Sequence, residues 1–221
     1  MKLVFYGGGD VEQNYLLDQS LFGMLKVKQP KMTFIPACSY HSEIEFIDFI
    51  RQYSQFDIKR FIHFPIDLDY DQILLKEAFS SDIIHLGGGN TFYFLKYLRK
   101  KKLFAMLKTF IDRGGILTGL SAGAIMMTPT IETAAFPSFD CDDNIENLSN
   151  LKALNFVKFH FFPHYVNSNR YAKELAAFSQ TISEPLFAAP DGAGIIVQNY
   201  ELQFVGKVHC FFNGKKTLVS R

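Results

Sequence analysis

The chain has 221 residues, of which 48% are hydrophobic, and its formal net charge at pH 7 is +1. This length and composition allow one sizeable core, and no linker or repeat divides the sequence, so we expect a single domain over residues 1–221. The near-neutral charge gives no reason to expect nucleic acid or an anionic membrane as a partner. No apolar run approaches the roughly 20 residues that a membrane-spanning helix needs.

The three cysteines, Cys38, Cys141 and Cys210, are odd in number and lack the spacing of a metal site. The N-terminal segment has the pattern of a strand and not of a charged region followed by an apolar signal segment. We therefore expect a cytoplasmic protein, present as a monomer or homodimer, that uses no metal and no cofactor.

Strands and helices alternate along most of the chain. Apolar runs predict strands at residues 2–6, 31–36, 58–64, 82–86, 115–119 and 156–162. Helical spacing of apolar residues predicts helices near residues 11–27, 41–54, 69–79, 91–112, 122–127 and 168–181. This alternation predicts an α/β fold with a mostly parallel sheet covered on both faces. From residue 186 onward the sequence is rich in strand patterns, and a hairpin that turns at Asn199 predicts an antiparallel C-terminal edge.

The fourth predicted strand runs into the glycine loop Gly87-Gly88-Gly89-Asn90-Thr91. Such a loop leaves bare N–H groups at the carboxyl edge of the sheet, where open α/β folds bind ligands. Gly88 or Gly89 is therefore a candidate oxyanion donor. A phosphate cradle is the alternative, and Asn90 and Thr91 also favour capping of the next helix. Asn90 is in addition a candidate substrate-binding residue.

The fifth predicted strand turns into a helix through Gly119-Leu120-Ser121-Ala122-Gly123. A sharp strand-to-helix turn made of small residues holds its middle side chain in an exposed elbow, which favours Ser121 as a nucleophile. A Cβ at Gly119 or Gly123 would collide in so close a turn. The backbone N–H of Ala122 is a candidate oxyanion donor. A plain small-residue turn is the alternative.

A nucleophilic serine needs a base and an orienting acid. Of the six histidines, His164 is the best candidate base, because it follows Pro163 just beyond the strand predicted at 156–162, whereas His160 lies within that strand. Asp191, in the turn Pro190-Asp191-Gly192, is the best-placed acid, although aspartate is also common in such turns.

The first predicted strand is followed by Gly7-Gly8-Gly9-Asp10, which allows a nucleotide- or phosphate-binding protein as an alternative function. The third glycine of a dinucleotide-binding motif is missing, since Glu12 stands in its place. This signal is weak.

Four motifs in one order carry a family resemblance: Gly-Gly-Gly-Asn-Thr-Phe at 87–92, Gly-Leu-Ser-Ala-Gly-Ala at 119–124, Pro-His-Tyr at 163–165 and Pro-Asp-Gly at 190–192. With them the chain resembles the serine peptidase family of dipeptidase E (aspartyl dipeptidase) and cyanophycinase, from Gly7 to about Gly206. The resemblance implies a flavodoxin-like, three-layer fold related to class I glutamine amidotransferases. It also implies a serine-dependent hydrolase that cleaves small peptides through an acyl-enzyme.

The resemblance implies a triad in the chain order Ser121, His164, Asp191. The best-known member of the family has glutamate at the position of Asp191, and Asp140 and Asp142 are alternative acids. The resemblance to dipeptidase E also suggests that Arg170 grips a substrate carboxylate, with a surface arginine at a helix start as the alternative. A family member without turnover is a further alternative. An amidotransferase is disfavoured, because its elbow nucleophile is a cysteine and none lies near position 121.

Overall fold

The computed structural model describes residues 1–220, and within them eleven strands form two sheets. The strands are β1 (Lys2–Tyr6), β2 (Lys31–Ile35), β3 (Arg60–His63), β4 (Ile83–Leu86), β5 (Ile116–Leu120), β6 (His160–Phe162), β7 (Leu186–Ala188), β8 (Gly194–Gln198), β9 (Glu201–Val205), β10 (His209–Phe212) and β11 (Lys215–Leu218).

Seven α-helices occur in the described residues, together with a short 3-10 helix at Glu132–Ala135. The α-helices are α1 (Tyr15–Gly23), α2 (Ser42–Tyr53), α3 (Gln72–Phe79), α4 (Thr91–Lys100), α5 (Leu103–Asp112), α6 (Ala122–Met126) and α7 (Asn169–Phe178).

The central sheet has seven strands in the order β3-β2-β4-β5-β1-β8-β9. Its first five strands are parallel, β8 runs antiparallel to β1, and β9 runs antiparallel to β8. The predicted mostly parallel sheet with an antiparallel C-terminal edge is therefore confirmed. The hairpin between β8 and β9 turns at Asn199 and Tyr200, both with positive φ, as a two-residue turn that matches strand twist requires.

The central sheet is covered on both faces, as an α/β fold requires. Side chains of a strand alternate between faces, and in β1 Leu3 and Phe5 belong to one apolar cluster while Val4 and Tyr6 belong to another. The cluster around Tyr6 contains buried residues of α1 and α2. The cluster around Phe5 contains those of α3 to α6.

A second sheet, in the order β11-β10-β7-β6, was not predicted. The strand expected at 156–162 is shorter, at residues 160–162, and pairs parallel with β7 instead of joining the central sheet. The physical reason is aromatic packing: the rings of Phe159 and Phe161 lie 5.1 and 5.5 Å from the ring of Phe5. This segment therefore covers a face of the central sheet and does not extend its edge.

Two helices are shorter in the structure than the sequence predicts. The helix expected at 91–112 is broken between α4 and α5, where Lys102 has a φ of 57°. The buried residues Leu98 and Leu103 are five positions apart, whereas buried residues on one face of a helix recur every three or four positions. A continuous helix would therefore turn one of its halves away from the core. The helix expected at 11–27 is confined to 15–23, because the side chain of Asn14 donates to the carbonyl of Gly9 and holds the preceding residues in a loop.

A carboxyl group lies buried between α1 and the central sheet. Asp18 accepts hydrogen bonds from Tyr6 Oη, at 2.8 Å, and from Gln52 Nε2, at 3.0 and 3.1 Å. Burial, the largest influence, raises the pKa of Asp18 to about 6, although these hydrogen bonds oppose the shift. Since the native state then binds a proton that the unfolded state has released, this group favours folding below about pH 4 and loses that contribution as the pH rises through 6.

We expect Asp18→Asn, which cannot ionise, to remove this dependence. Between pH 4 and pH 7.5 the free energy of unfolding of the wild type should fall relative to that of the variant by up to about 3 kcal/mol. Urea unfolding of both proteins at the two pH values measures the difference. A difference that stays constant with pH would show that Asp18 titrates normally.

Candidate active site

Three loops meet at the carboxyl edge of the central sheet because the strands that lead into them are neighbours. The strands β4, β5 and β1 lie side by side, so the loop at Gly87–Asn90, the turn at Ser121 and the loop at Gly7–Gly9 are adjacent. This is the edge at which parallel α/β sheets bind ligands.

Ser121 occupies a strained turn between β5 and α6. Its φ of 53° and ψ of −113° lie outside the regions favoured by residues with a side chain. A Cβ at Gly119 would lie 2.4 Å from the carbonyl of Gly123, and one at Gly123 would lie 2.1 Å from the carbonyl oxygen of Leu86. The two glycines are therefore required for the close approach of α6 to β5 and β4. The turn holds Ser121 half-buried at the sheet edge.

His164 and Asp191 reach Ser121 from the second sheet. They follow β6 and β7, which are parallel neighbours, so the two residues leave the same end of that sheet. His164 Nε2 lies 2.9 Å from Ser121 Oγ, and His164 Nδ1 lies 2.7 Å from Asp191 Oδ1. Both side chains are about half exposed. Serine, imidazole and carboxylate thus form one hydrogen-bonded row.

The alternative residues considered from the sequence have other partners. Asp140 accepts a hydrogen bond from Tyr171 Oη at 2.5 Å, and Asp142 accepts one from the backbone N–H of Thr91 at 2.8 Å. His160 is buried within β6 and lies 3.9 Å from Glu184. Burial lowers the pKa of His160.

The three-glycine loop after β1 lies against the histidine and the carboxylate. A Cβ at Gly8, whose φ is +138°, would lie 2.0 Å from Asp191 Oδ1 and 2.4 Å from the ring of His164. The carbonyl of Gly7 accepts from the backbone N–H of His164, and the carbonyl of Gly8 accepts from that of Gly192. From its sequence this loop was expected only as a nucleotide- or phosphate-binding site. Its position at a strand end, like that of the loop at Gly87–Gly89, is the signal that could have placed it beside the other site residues.

We expect Gly8→Ala to displace the imidazole and carboxylate and to slow any reaction at Ser121 by at least about 100-fold, since a misplacement of 1 Å costs about this much. The rate at which a phosphonylating reagent labels Ser121 measures the loss. Gly114→Ala is the matched control, because Gly114 also has a positive φ, of +99°, but nothing lies within 4 Å of its added Cβ. Equal labelling rates in the two variants would contradict this role of Gly8.

Three backbone N–H groups near Ser121 are without an acceptor in the described chain. These are the N–H groups of Gly88, Gly89 and Ala122. An added Cβ at Gly88 would lie 3.7 Å from Ser121 Cβ, so a side chain at this position would touch the serine. Unpaired donors beside a nucleophile are suited to hold a developing oxyanion.

Asn90 lines a separate cavity with Tyr93 and Asp143, and Arg170 lies on α7 beside Phe139. Asn90 caps α4 by accepting from the N–H of Tyr93, and its Nδ2 donates to the carbonyl of Asp143. Arg170 is exposed at the start of α7, and its guanidinium carbon lies 3.3 Å from the centre of the Phe139 ring. Asn90 therefore has a structural role, and Arg170 stands beside the loop that carries Asp140.

Two cavities open beside the serine. The smaller has a volume of about 170 Å³ and is lined by Ser121, His164, Asp140 and Asp142, among others. The larger, of about 570 Å³, is bordered by Gly88 and Gly89 on the other side. The smaller cavity thus includes Ser121 itself, and the larger one adjoins it through Leu120.

Among residues 1–220 no group of three or more histidine, cysteine, aspartate or glutamate side chains is arranged to hold a metal ion. The same residues contain no helix long and apolar enough to cross a membrane.

An α/β sheet with a serine in a strand-to-helix elbow, hydrogen-bonded to a histidine and through it to a carboxylate, is the arrangement of serine hydrolases. The sequence profile of peptidase family S51 matches residues 3–205. The chain therefore belongs to peptidase family S51, and the predicted family resemblance is confirmed.

Curated relatives agree with this assignment. The uncharacterized peptidase YgaJ of Bacillus subtilis is 27% identical over 208 residues, which cover 91% of this chain and 85% of that protein. Peptidase E of Escherichia coli is 31% identical over 138 residues, which cover 62% of this chain and 58% of that protein.

The fold is shared with two crystal structures. A protein of Listeria monocytogenes provisionally named peptidase E has a TM-score of 0.71 at 22% identity, with 92% of this chain and 97% of that chain covered. A peptidase from an acI-B1 Actinobacterium has a TM-score of 0.69 at 18% identity, with coverages of 99% and 93%. At these identities the comparison shows the fold alone, and the predicted fold class is confirmed.

Proposed function

We propose that this chain is a serine peptidase that hydrolyses small peptides with Ser121 as nucleophile, His164 as base and Asp191 as orienting acid. The observation that carries the proposal is the continuous row of hydrogen bonds, 2.9 Å from Ser121 Oγ to His164 Nε2 and 2.7 Å from His164 Nδ1 to Asp191 Oδ1. Membership of peptidase family S51 supports the reaction class. The proposed reaction takes place within a single α/β domain and uses no metal or cofactor.

In the proposed reaction His164 Nε2 removes the proton of Ser121 Oγ as this oxygen attacks the peptide carbonyl carbon. The imidazolium then gives the proton to the leaving amine, the C–N bond breaks, and an acyl-enzyme remains on Ser121. A water molecule, deprotonated by His164, then attacks the ester carbonyl; the C–Oγ bond breaks, the imidazolium returns the proton to Ser121 Oγ, and the acid product is released. Asp191 holds the ring in the tautomer that places the basic nitrogen toward the serine and stabilises the imidazolium.

We assign the oxyanion to the backbone N–H of Ala122 together with that of Gly88 or Gly89. All three donors are unpaired in the described chain, and Gly88 lies beside the serine, since an added Cβ there would be 3.7 Å from Ser121 Cβ. Donors that are fixed before the reaction stabilise the charge that develops on the carbonyl oxygen without reorganisation.

Arg170 is our candidate for binding a substrate carboxylate. Its guanidinium stacks on Phe139, an arrangement that leaves the edge of the planar group free for bidentate hydrogen bonds. The neighbouring Asp140 lines the small cavity beside Ser121. The resemblance to dipeptidase E suggests small peptides as the substrate class. For Asn90 we propose support of the glycine loop through its two hydrogen bonds.

A serine-directed phosphonylating reagent tests the nucleophile. We expect the reagent to label Ser121 in the wild type and to leave Ser121→Ala unlabelled, as judged by mass spectrometry of peptides. Hydrolysis of a panel of dipeptides and blocked amides, read by product release, then tests turnover. Labelling of another serine, or hydrolysis by Ser121→Ala at the wild-type rate, would refute the assignment; labelling with no turnover of any substrate would indicate a silent member of the family.

A further inference from the structure

The larger cavity beside the serine is bounded by α2 and the loop after β1, and we name it the α2 cleft. It has a volume of about 570 Å³, and its apolar surface comes from Val11, Phe34, Phe49 and Leu120. Leu120 is the residue before Ser121. The α2 cleft thus adjoins the candidate active site through Leu120 and Gly88, and it is large enough for a long side chain of a substrate.

Carboxylates prevail among the charged groups of the α2 cleft. Asp10, Glu45 and Asp48 line it, and the only cation that lines it is Arg51, which is committed to an ion pair with Asp48 at 2.5 Å. Asp10 accepts a hydrogen bond from the N–H of Gln13. Glu45 is half-buried. Its backbone N–H donates to the carbonyl of His41, but in the described chain its carboxylate has no hydrogen-bond or ion-pair partner. Its burial raises its pKa.

The floor of the α2 cleft adds no positive charge. His85 is 4% exposed and lines the cleft from β4, with its Nδ1 2.7 Å from Thr118 Oγ1. Aromatic rings surround it, among them Phe49 at 5.3 Å. Burial lowers the pKa of His85 to about 3, so this imidazole is neutral at physiological pH. The cleft therefore combines apolar walls with an uncompensated negative charge at Glu45.

We propose that the α2 cleft binds a substrate side chain that has an apolar stem and a positively charged end, with Glu45 as the residue that selects the charge. A lysyl or arginyl side chain buries its methylene groups along apolar surface while its end pairs with a carboxylate. An acidic side chain is repelled by the same carboxylates. This inference rests on the proposed function, because it names the kind of peptide that the site at Ser121 takes.

Matched dipeptides test the selection of charge. Each dipeptide of the series pairs alanine with lysine, norleucine or glutamate, and each of these three residues is tested in the first and in the second position. Norleucine is included because it has the methylene chain of lysine without the ammonium group. In one of the two placements we expect kcat/KM for the lysine peptide to exceed that for the norleucine peptide about tenfold, the effect of one charge-assisted contact. The glutamate peptide should be the poorest substrate. Equal values for lysine and norleucine in both placements would overturn the proposal.

Two variants of Glu45 locate the effect. Glu45→Gln should reduce the preference for lysine to less than about twofold through a higher KM at unchanged kcat, because it removes a contact made equally in the ground and transition states. Glu45→Lys should invert the preference toward glutamate. Glu43→Gln is the control: Glu43 lies in the same first turn of α2 and is exposed, and it does not line the cleft. If Glu43→Gln loses the preference for lysine as fully as Glu45→Gln, the preference arises from the general electrostatic field of α2 and not from a contact in the cleft.

A binding measurement separates this inference from the proposed function. Calorimetric titration of Ser121→Ala with the same peptides needs no turnover, and the lysine peptide should bind about tenfold more tightly than the norleucine peptide. If the wild type hydrolyses no peptide and Ser121 is not labelled, the proposed function fails. If peptides are hydrolysed but neither turnover nor binding distinguishes lysine from norleucine, only the assignment of the α2 cleft fails.

Discussion

His164→Ala is expected to lower kcat for any hydrolysed peptide by roughly 10⁵- to 10⁶-fold, the loss found when the base of a catalytic triad is removed. The reason is geometric, since His164 Nε2 is the nitrogen within hydrogen-bonding distance of Ser121 Oγ. Without it, only the oxyanion donors and substrate binding would remain to accelerate the reaction. Steady-state kinetics of the purified variant, with phosphonylation of Ser121 as a second measurement, gives the size of the effect.

His160→Gln is the control for this experiment. His160 lies close in sequence but is buried in β6, with Glu184 as its nearest acidic group at 3.9 Å. Its replacement should lower the temperature of unfolding and leave kcat within about tenfold of the wild type, because it is not part of the hydrogen-bonded row. Equal losses of kcat in the two variants, or a larger loss in His160→Gln, would refute the choice of His164.

The candidate site was accessible from sequence because each of its residues directly follows a predicted strand. Ser121 follows the strand predicted at 115–119, and His164 follows the one predicted at 156–162, so both were expected at the carboxyl ends of strands. The distances between these side chains could not be predicted from the sequence. They depend on the strand order, in which β5 lies next to β1, and on the pairing of β6 with β7 outside the central sheet.

The second sheet was missed because the local sequence does not encode which strands pair with each other. Strand patterns were expected at 156–162 and from residue 186 onward, but β6 and β7 have three residues each, and β10 and β11 have four. The partners of such short strands are specified by packing against the rest of the protein. The rings of Phe159 and Phe161 on Phe5 provide this packing, and it joins segments that are distant in the chain.

The roles of Gly8 and Glu45 likewise depend on tertiary neighbours. Gly8 belongs to a glycine run that resembles a phosphate loop, and its contact with Asp191 and His164 exists only because Gly7 and Gly8 accept hydrogen bonds from the segments that carry them. Glu45 is one of several acidic residues on an amphipathic helix. Glu45 and Phe49 line the α2 cleft and Glu43 does not. Which side of α2 faces this cleft depends on tertiary packing, which local sequence does not encode.

Asp191→Asn is expected to keep the fold and to lower kcat by roughly 10³- to 10⁴-fold, as an amide in place of the orienting acid of a triad does. The amide has the shape of the carboxylate and can remain in the turn between Pro190 and Gly192. Its NH₂ group, however, would face His164 Nδ1, now 2.7 Å from a carboxylate oxygen. The ring would then carry its proton on Nε2, toward Ser121, and could not act as a base.

The temperature of unfolding and kcat of Asp191→Asn, measured together, separate this effect from a loss of structure. Asp142→Asn is the matched control, because Asp142 lines the small cavity beside Ser121 but accepts its hydrogen bond from the N–H of Thr91. It should lose far less activity, since its carboxylate does not touch the imidazole. If instead Asp142→Asn is the more damaged enzyme while Asp191→Asn turns over normally, the acid of the site is Asp142, and the assignments of Ser121 and His164 still stand because they rest on a separate contact.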